Sequence, residues 1–347
     1  MNLTKTKTDI FITEEIFDIK VHSSFVRLYK SVDEILTDIA IEQIKSVLIL
    51  GSNIDIPARL IKMCCENFIP IHILTNQHKH HGSLHFASQG EICSRQNQFE
   101  ATLNPAWKLK LAQQLIFQKI LTQNVLSQKW GYHLEISKKI NTAKDTFSLL
   151  GIEGSTASLY WDNFATQIPA EFVWNGRIKY PCIDPVNSLL SLAYGLLFTQ
   201  CQTALTLRGL DPYLGILHTT NNNRPALVCD FIEIFRVLTV DCWVLGLLQQ
   251  KVFVPEDFRI QSSGTCTLKN EQKNLFFKLW YKRLKHFQFD TKDDTITIYD
   301  MLGQNADLLL EWFEDIVAKK TRITKELGNT RLITFTNIDQ FFITSQI

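Results

Sequence analysis

The sequence predicts an α+β protein with a small N-terminal β-rich domain, residues 1–95, followed by a larger all-α domain, residues 96–347. Short β-branched runs dominate the first part of the chain, and apolar residues recur at helical spacing from Asn104-Pro105 onward. A chain of 347 residues with 45% hydrophobic and 20% charged residues can form two domains with separate cores, and it is too apolar to be disordered.

Two apolar runs with a helix between them predict the N-terminal domain. The runs are VLIL at 47–50 and IPIHIL at 69–74, and amphipathic PARLIKMCCENF joins them. The first residues, MNLTKTKTDIFITEEIF, lack the apolar core of a secretion signal, and the 8 cysteines form no C-x-x-C pair. These two features predict a cytoplasmic protein with reduced thiols.

Five long helices are predicted in the C-terminal domain. One of them has Asp184 as its N-cap and Gly209 at its end. The most apolar stretch, 186–207, is interrupted by polar residues such as Asn187, which predicts a core helix and not a membrane span. The predicted helices cover 107–128, 149–166, 185–208, 225–249 and 274–287.

Three carboxylates and one imidazole stand in segments that are otherwise nearly all apolar: Glu153, His218, Asp230 and Glu233. An ionised carboxylate is costly to bury unless a cation, a shifted pKa or a metal compensates it. Asp230 and Glu233 are three positions apart on a predicted helix, so both project from one face. A hard divalent metal is our first explanation, and a structural ion pair with Arg236 is the alternative.

The other two residues extend this candidate site. His218 lies twelve positions before Asp230, and the turn-rich TTNNNRP between them can fold it back onto the start of the helix. Glu153 is flanked by glycines, which allow a bulky ligand to approach closely. The alternatives are a hydrogen-bonded core histidine and a surface glutamate near a helix start, where the helix dipole favours an acid.

These residues lie in blocks that resemble the CRISPR adaptation integrase family, Cas-one (Cas1). The resemblance covers about residues 40 to 250 and rests on the order and spacing of several blocks. The blocks are EQIKSVLILGSNIDIPARLIKMCCENFIPIHILT at 42–75, Arg95-Gln96 with Gln98-Phe99 followed by LAQQLIFQKILTQ at 111–123, GIEGSTASLYWDNF at 151–164, DPVNSLLSLAYGLL at 184–197, GLDPYLGILH at 209–218 and DFIEIFR at 230–236. The chain departs from the family at Thr122, Thr156 and Ser158, where asparagine, alanine and arginine are usual.

The resemblance implies an enzyme that joins 3′-hydroxyl ends of prespacer DNA to a CRISPR repeat array by transesterification, with associated endonuclease activity. It implies Glu153, His218 and Glu233 as ligands of Mg²⁺ or Mn²⁺, and Asp230 as a neighbouring catalytic carboxylate. Supporting roles are expected for Asn187 and Arg236. It also implies a homodimer formed through the β domain, and assembly with the small partner Cas-two (Cas2).

DNA binding is predicted from the distribution of charge, because the net charge is only +1. Residues 101–150 contain seven lysines against Glu135 and Asp145. A second basic stripe, Lys278, Lys282 and Lys285, stands beside Trp280 and Tyr281, a combination that suits a phosphate backbone and unstacked bases. The alternative for this stripe is a solvated helix face above core aromatics.

Two functions other than integration are compatible with the sequence. A metal-dependent nuclease would use water in the same site, and a non-catalytic DNA-binding scaffold would pair its carboxylates with Arg236 and Arg224. The histidines of NQHKHHGSLHF lie in a predicted turn, and we expect no metal there. They are His78, His80, His81 and His85.

Overall fold

The computed structural model describes residues 7–51, 53–75, 80–85, 92–134, 139–179, 181–218, 224–290 and 295–318. The chain divides into two compact units at the boundary between Gln89 and Gly90. His78 and the chain beyond residue 318 lie outside the described residues. The roles predicted for the two domains, dimerisation and catalysis, stay predictions.

The N-terminal unit contains two sheets. A four-stranded sheet has the order β1-β5-β6-β7, in which β1, β5 and β6 are parallel and β7 is antiparallel to β6. A three-stranded antiparallel sheet has the order β2-β3-β4. The elements are β1 (Thr8–Thr13), β2 (Asp18–Val21), β3 (Phe25–Tyr29), β4 (Ile35–Ala40), β5 (Ile44–Leu50), α1 (Ala58–Glu66), β6 (Ile71–Leu74) and β7 (His80–Leu84).

The core of this unit forms around the central strand β5. Six of its seven residues are buried, as expected of a parallel strand with both faces covered. Helix α1 contributes Leu60, Met63 and Cys64 to the same core, which also contains Ile10 and Ile71. The apolar runs that predicted strands at 47–50 and 69–74 therefore fall on β5 and β6.

The second unit is mainly helical, and the predicted fold class is confirmed. Two short antiparallel hairpins, β8-β9 and β10-β11, accompany its helices. The elements are α2 (Ile92–Leu103), α3 (Pro105–Lys129), α4 (Lys139–Thr142), α5 (Thr146–Ala165), α6 (Pro185–Thr206), α7 (Ala226–Ile232), a π-helix (Val237–Asp241), α8 (Cys242–Gln249), β8 (Phe258–Ile260), β9 (Cys266–Leu268), α9 (Asn270–His286), β10 (Gln288–Asp290), β11 (Thr295–Thr297) and α10 (Ile298–Ala318).

The single helix predicted at 225–249 is wrong, because the chain forms α7, a tight turn, the π-helix and α8. In the turn, residues 233–235 donate their N–H groups to carbonyls three positions earlier. The backbone then widens into the π-helix, where Arg283 of α9 donates to the carbonyls of Leu238 and Thr239 at 2.8 and 3.2 Å. A buried guanidinium thus satisfies carbonyls that a regular helix would have bonded internally.

Helix α10 was not predicted from the sequence. Its buried residues Met301, Leu302, Leu309, Phe313 and Ile316 recur at helical spacing. In the part of the chain that is described, no helix combines the length and the apolar character needed to cross a membrane.

Candidate active site

Helices α3, α5 and α7 bring two carboxylates to one ammonium group. The Nζ atom of Lys119 contacts Oε1 of Glu153 and lies 2.6 Å from Oε2 of Glu233. Lys119 is only 6% exposed. Glu153 and Glu233, eighty positions apart in the sequence, therefore meet at a shared positive charge.

Glu233 is held ionised by the charges around it. Its Oε1 lies 2.6 Å from Nη1 of Arg236, and the residue is 7% exposed. Burial acts to raise the pKa of Glu233, but Arg236, Lys119 and His218 more than offset it and lower the pKa to about 2.

Asp230 fixes the position of His218. The carboxylate is 0% exposed, and its Oδ2 accepts hydrogen bonds from the backbone N–H groups of Ile216 at 2.6 Å and Leu217 at 2.9 Å. Its Oδ1 accepts from the backbone N–H of His218 at 3.0 Å and lies 2.5 Å from Nδ1 of the ring. With Nδ1 directed at this carboxylate, Nε2 is the ring nitrogen left for another ligand.

The loop that carries His218 is built from close contacts. A Cβ atom on Gly215 would lie 2.6 Å from Cβ of Ala226 and 3.1 Å from Oδ2 of Asp230, so only glycine fits. Upstream, the buried Gln98 of α2 accepts from the N–H of Asp211 at 2.7 Å and donates to two carbonyls of the 211–214 segment. The loop is therefore fixed at both ends before it reaches the imidazole.

A second buried group connects the site to α5 and α6. The guanidinium of Arg236 lies 4.9 Å from the ring centre of Tyr194. Both Tyr194 and Tyr160 donate their hydroxyl protons to Asp241, the latter at 2.7 Å. Burial raises the pKa of Asp241 to about 6, although the two tyrosine hydroxyls oppose this shift.

Asp241 gives a testable pH dependence. Its pKa is higher in the folded protein than the ordinary aspartate value of 3.8, so the folded state binds more protons between about pH 4 and pH 6. Its contribution to stability is complete below about pH 4 and falls by up to about 3 kcal/mol as the pH rises through 6. We expect Asp241→Asn to remove this loss of stability. The measurement is the free energy of urea unfolding of wild type and variant at several pH values between 4 and 7.

The control for this prediction is Asp162→Asn, at an exposed position of α5. It should leave the pH profile of the unfolding free energy unchanged. A profile for Asp241→Asn that runs parallel to wild type from pH 4 to 7 would contradict the assignment.

The other predicted site residues lie in different surroundings. Asn187 of α6 accepts from Nη1 of Arg177 and from the N–H of Ile178, and donates to the carbonyl of Gly176, so it fixes the 176–178 segment. Arg224 donates to Sγ of Cys229 at 3.1 Å. Of the two supporting residues that were predicted, Arg236 directly contacts a candidate ligand.

The basic stripe on α9 is only partly accessible. Lys278 and Lys282 are exposed, and Lys285 places its ammonium 5.5 Å from the ring centre of Tyr281. Trp280 is 0% exposed and packs against Trp243, so its ring belongs to the core. DNA contacts by the three lysines stay a prediction.

Sequence reasoning missed Lys119, which was counted among the basic residues of 101–150. The spacing of Lys119 relative to apolar residues of α3 is the signal that marks it as a buried lysine. Lys119 follows the buried Leu115 and Ile116 by four and three positions, on the apolar face of α3. A lysine on that face needs a buried anionic partner.

The site residues suit a hard divalent cation in their chemistry. Two carboxylates already meet at one cation, and the free Nε2 of His218 completes an oxygen and nitrogen donor set. Within the ranges that the structure describes, no three His, Cys, Asp or Glu side chains stand close enough to hold a metal as they are placed. Lys119 occupies the position between the two carboxylates.

Comparison with known proteins shows that this chain is similar to a class of CRISPR-associated proteins. Residues 10–282 match the family described as CRISPR associated protein Cas1. The CRISPR-associated endonuclease Cas1 3 of Thermus thermophilus is 36% identical over 256 residues, which cover 72% of this chain and 76% of that protein. The chain belongs to the Cas1 family.

Solved structures share the fold at low sequence identity. The Cas1 protein TM1797 of Thermotoga maritima has a TM-score of 0.77 at 20% identity, covering 88% of this chain and 97% of that chain. A casposase bound to an integration product has a TM-score of 0.79 at 18% identity, covering 91% and 92%. A chain of a Cas6-RT-Cas1–Cas2 complex has a TM-score of 0.75 at 22% identity, covering 91% of this chain and 36% of that chain.

Proposed function

We propose that this protein is the metal-dependent DNA integrase of CRISPR adaptation, which joins 3′-hydroxyl ends of prespacer DNA to a repeat array, with associated endonuclease activity. The observation that carries the proposal is the meeting of Glu153 and Glu233 at one cation. Asp230 of the same acidic motif orients His218. Membership of the Cas1 family and the fold shared with a casposase bound to an integration product support the same reaction.

The charge of the site supports a divalent cation. Glu153, Asp230 and Glu233 contribute three carboxylates, and the cations Lys119 and Arg236 pair with two of them. Glu153, Glu233 and Nε2 of His218 would hold Mg²⁺ or Mn²⁺. When bound, such an ion supplies Lewis-acid activation of a phosphodiester and of the attacking hydroxyl.

The chain's own residues position the reactants. The 3′-oxygen forms a bond to the target phosphorus as the bond to the leaving 3′-oxygen breaks, and the proton of the attacking hydroxyl ends on the leaving oxygen or in solvent. This exchange needs no nucleotide cofactor.

Asp230 is fully buried and saturated with hydrogen bonds, which favours a role in orienting His218 over one as proton acceptor.

DNA, a second copy of the chain and Cas2 are the proposed partners. One structural neighbour is a Cas6-RT-Cas1–Cas2 complex, which supports the assembly with Cas2. Lysines 278, 282 and 285 of α9 are proposed to contact the DNA backbone. Light scattering after size-exclusion chromatography tests the dimer directly.

The test is the joining of a short duplex with 3′-hydroxyl ends to a plasmid that contains a repeat, with Mn²⁺ or Mg²⁺. We expect Glu153→Gln, which keeps the side-chain shape, to lower the joining rate by at least about 100-fold, because a ligand contributes at least as much as an outer contact to a ligand. Asp162→Asn on the same helix is the control. Joining by Glu153→Gln at the wild-type rate would refute the ligand assignment.

A nuclease without integration is the second candidate, because curated relatives are named endonucleases. Water would then replace the 3′-hydroxyl in the same site. Duplexes that end in 3′-deoxynucleotides separate the two functions, since an integrase loses joined product and keeps cleavage. A protein that cleaves these duplexes but never joins 3′-hydroxyl ends is a nuclease.

Metal titration separates both enzymes from a non-catalytic scaffold. Calorimetry with Mn²⁺ should show one site per chain that is lost in His218→Ala. A folded wild-type protein without such binding would be a scaffold whose carboxylates serve only to pair with Lys119 and Arg236.

A further inference from the structure

Lys119 is a buried cation to which the proposed reaction assigns no role. Its ammonium binds an oxygen of Glu153 and an oxygen of Glu233, the two carboxylates proposed as metal ligands. The side chain enters from helix α3, whose neighbouring residues Leu115, Ile116 and Ile120 are buried. Lys119 therefore approaches the carboxylates from the protein interior.

We propose that Lys119 is an internal counter-ion that competes with the divalent cation for Glu153 and Glu233, and thereby sets the metal concentration at which the site fills. This inference rests on the metal site proposed above. Lys119 acts here as a positioning residue, because its ammonium holds the two carboxylates in place until the metal displaces it.

The competition follows from charge and space. A divalent cation held by Glu153 and Glu233 would compete with Lys119 for the same two carboxylates. An ammonium and a dication close together in a poorly solvated site repel each other strongly, so both cannot keep these positions. Metal binding must therefore displace the lysine ammonium. The free energy needed to break its two ion pairs lowers the affinity of the site for the metal.

The same contacts stabilise the site without metal. Glu233 is 7% exposed and Glu153 is partly buried, and without a cation the two carboxylates would repel each other. Arg236 occupies the Oε1 side of Glu233, which leaves Lys119 as the cation shared with Glu153. The lysine thus keeps the two carboxylates ionised and close together, and it lowers the affinity of the site for the metal that replaces it.

The first experiment measures Mn²⁺ binding to the full chain by calorimetry. We expect Lys119→Met to lower the dissociation constant for Mn²⁺ by at least about tenfold, because the competing charge is gone. Lys119→Arg keeps the charge and should bind Mn²⁺ no more tightly than wild type. Lys108→Met is the matched control, since it makes the same change on α3 about 16 Å away along the helix axis and should leave the constant unchanged.

The second experiment uses wild-type protein and does not depend on a variant that folds. Acetylation by an N-hydroxysuccinimide ester, read residue by residue in a mass spectrometer, should modify the buried Lys119 slowly. Saturating Mn²⁺ should raise its rate several-fold, while the rate of Lys108 stays constant. A Lys119 that is equally protected with and without Mn²⁺ would overturn the proposal.

The outcomes separate this inference from the proposed function. If wild type takes up Mn²⁺ and joins DNA but folded Lys119→Met has the same or a higher dissociation constant, the competition is refuted and the integrase remains. If wild type takes up no Mn²⁺ at all, both are refuted. Circular dichroism and thermal unfolding of each variant establish that it is folded.

Discussion

Lowering the pH from 6.5 to 4 is expected to destabilise the N-terminal unit by about 3 to 6 kcal/mol, because three histidines are packed together there in the neutral form. His72 of β6 is 0% exposed, and His80 and His85 are partly buried beside it. Their ring centres lie 6.3 and 5.5 Å from that of His72. Protonating any of them places a charge in a poorly solvated cluster.

The hydroxyl group of Ser83 connects two of these rings. Ser83 stands opposite His72 across the β6-β7 pair, and its Oγ lies 2.7 Å from Nδ1 of His72 and 2.7 Å from Nε2 of His80. A hydroxyl group donates one proton and can accept two hydrogen bonds, so at most one of the two rings accepts from it. If both rings were protonated, both would donate to the hydroxyl oxygen, and the two positive charges would lie close together.

The direction of the pH effect follows from the pKa shifts. Burial lowers the pKa of His80 and of His85 to about 4, and it lowers the pKa of His72 well below the ordinary histidine value of 6.5. The unfolded chain therefore binds more protons than the folded unit between about pH 6.5 and 4. The stabilisation is complete above pH 6.5 and is lost as the pH falls through this window.

Hydrogen exchange is the suitable measurement. All seven tryptophans follow residue 106, so their fluorescence does not report on this unit. Exchange of the β5 and β6 amides should accelerate beyond its intrinsic pH dependence between pH 6.5 and 4. His80→Gln, whose amide can still bond to Ser83, should reduce the acceleration, and exposed His81→Gln should not; equal acceleration in both variants would contradict the prediction.

This cluster shows what sequence reasoning could and could not reach. The run of histidines at 78–85 is evident in the sequence, but the buried His72 lies in the preceding strand, within the apolar run IPIHIL. Only the pairing of β6 with β7 brings it opposite Ser83. Local spacing does not contain that register, because it depends on strand pairing.

Features fixed by local chemistry were predictable. Asp184 caps α6 by accepting from the N–H of Asn187 at 2.8 Å, and Gly209 has the positive φ of 75° that ends the helix region. The fold class followed from periodicity in the same way. Such signals act within a few residues, so one sequence is enough to find them.

Features that need distant partners were missed. The break between α7 and α8 depends on Arg283, more than forty positions away, which bonds the carbonyls of the π-helix. Asp241 owes its environment to Tyr160 and Tyr194 from two other helices. The resemblance joined the candidate ligands, whereas the role of Lys119, which lies in the similar segment LAQQLIFQKILTQ, is visible only in the structure.

Replacing Asp230 by alanine is expected to lower the free energy of unfolding by about 4 kcal/mol and to abolish activity. The carboxylate accepts three backbone N–H groups, from Ile216, Leu217 and His218, in a site that is 0% exposed. Each buried donor left without a partner costs about 1 to 3 kcal/mol. Alanine also removes the contact with Nδ1 that orients the imidazole.

The stability and activity effects of Asp230 should be separable by a second substitution. Asp230→Asn keeps one oxygen for the backbone N–H groups but turns an N–H₂ group toward at least one of them, so we expect about half the loss of stability. Its activity should still fall, because an amide cannot hold the ring in the same charge-assisted contact. Urea unfolding and the joining assay measure the two effects.

Asp211→Ala is the matched control on the same loop. Its side chain accepts one hydrogen bond, from the N–H of Tyr213 at 2.8 Å near the surface, so the variant should lose less than about 1 kcal/mol. If Asp230→Ala unfolded at the same urea concentration as Asp211→Ala, the buried carboxylate would not be what holds the 216–218 loop. A stable Asp230→Ala with wild-type joining would further show that His218 needs no orienting partner, and the ligand geometry proposed for this site would be wrong.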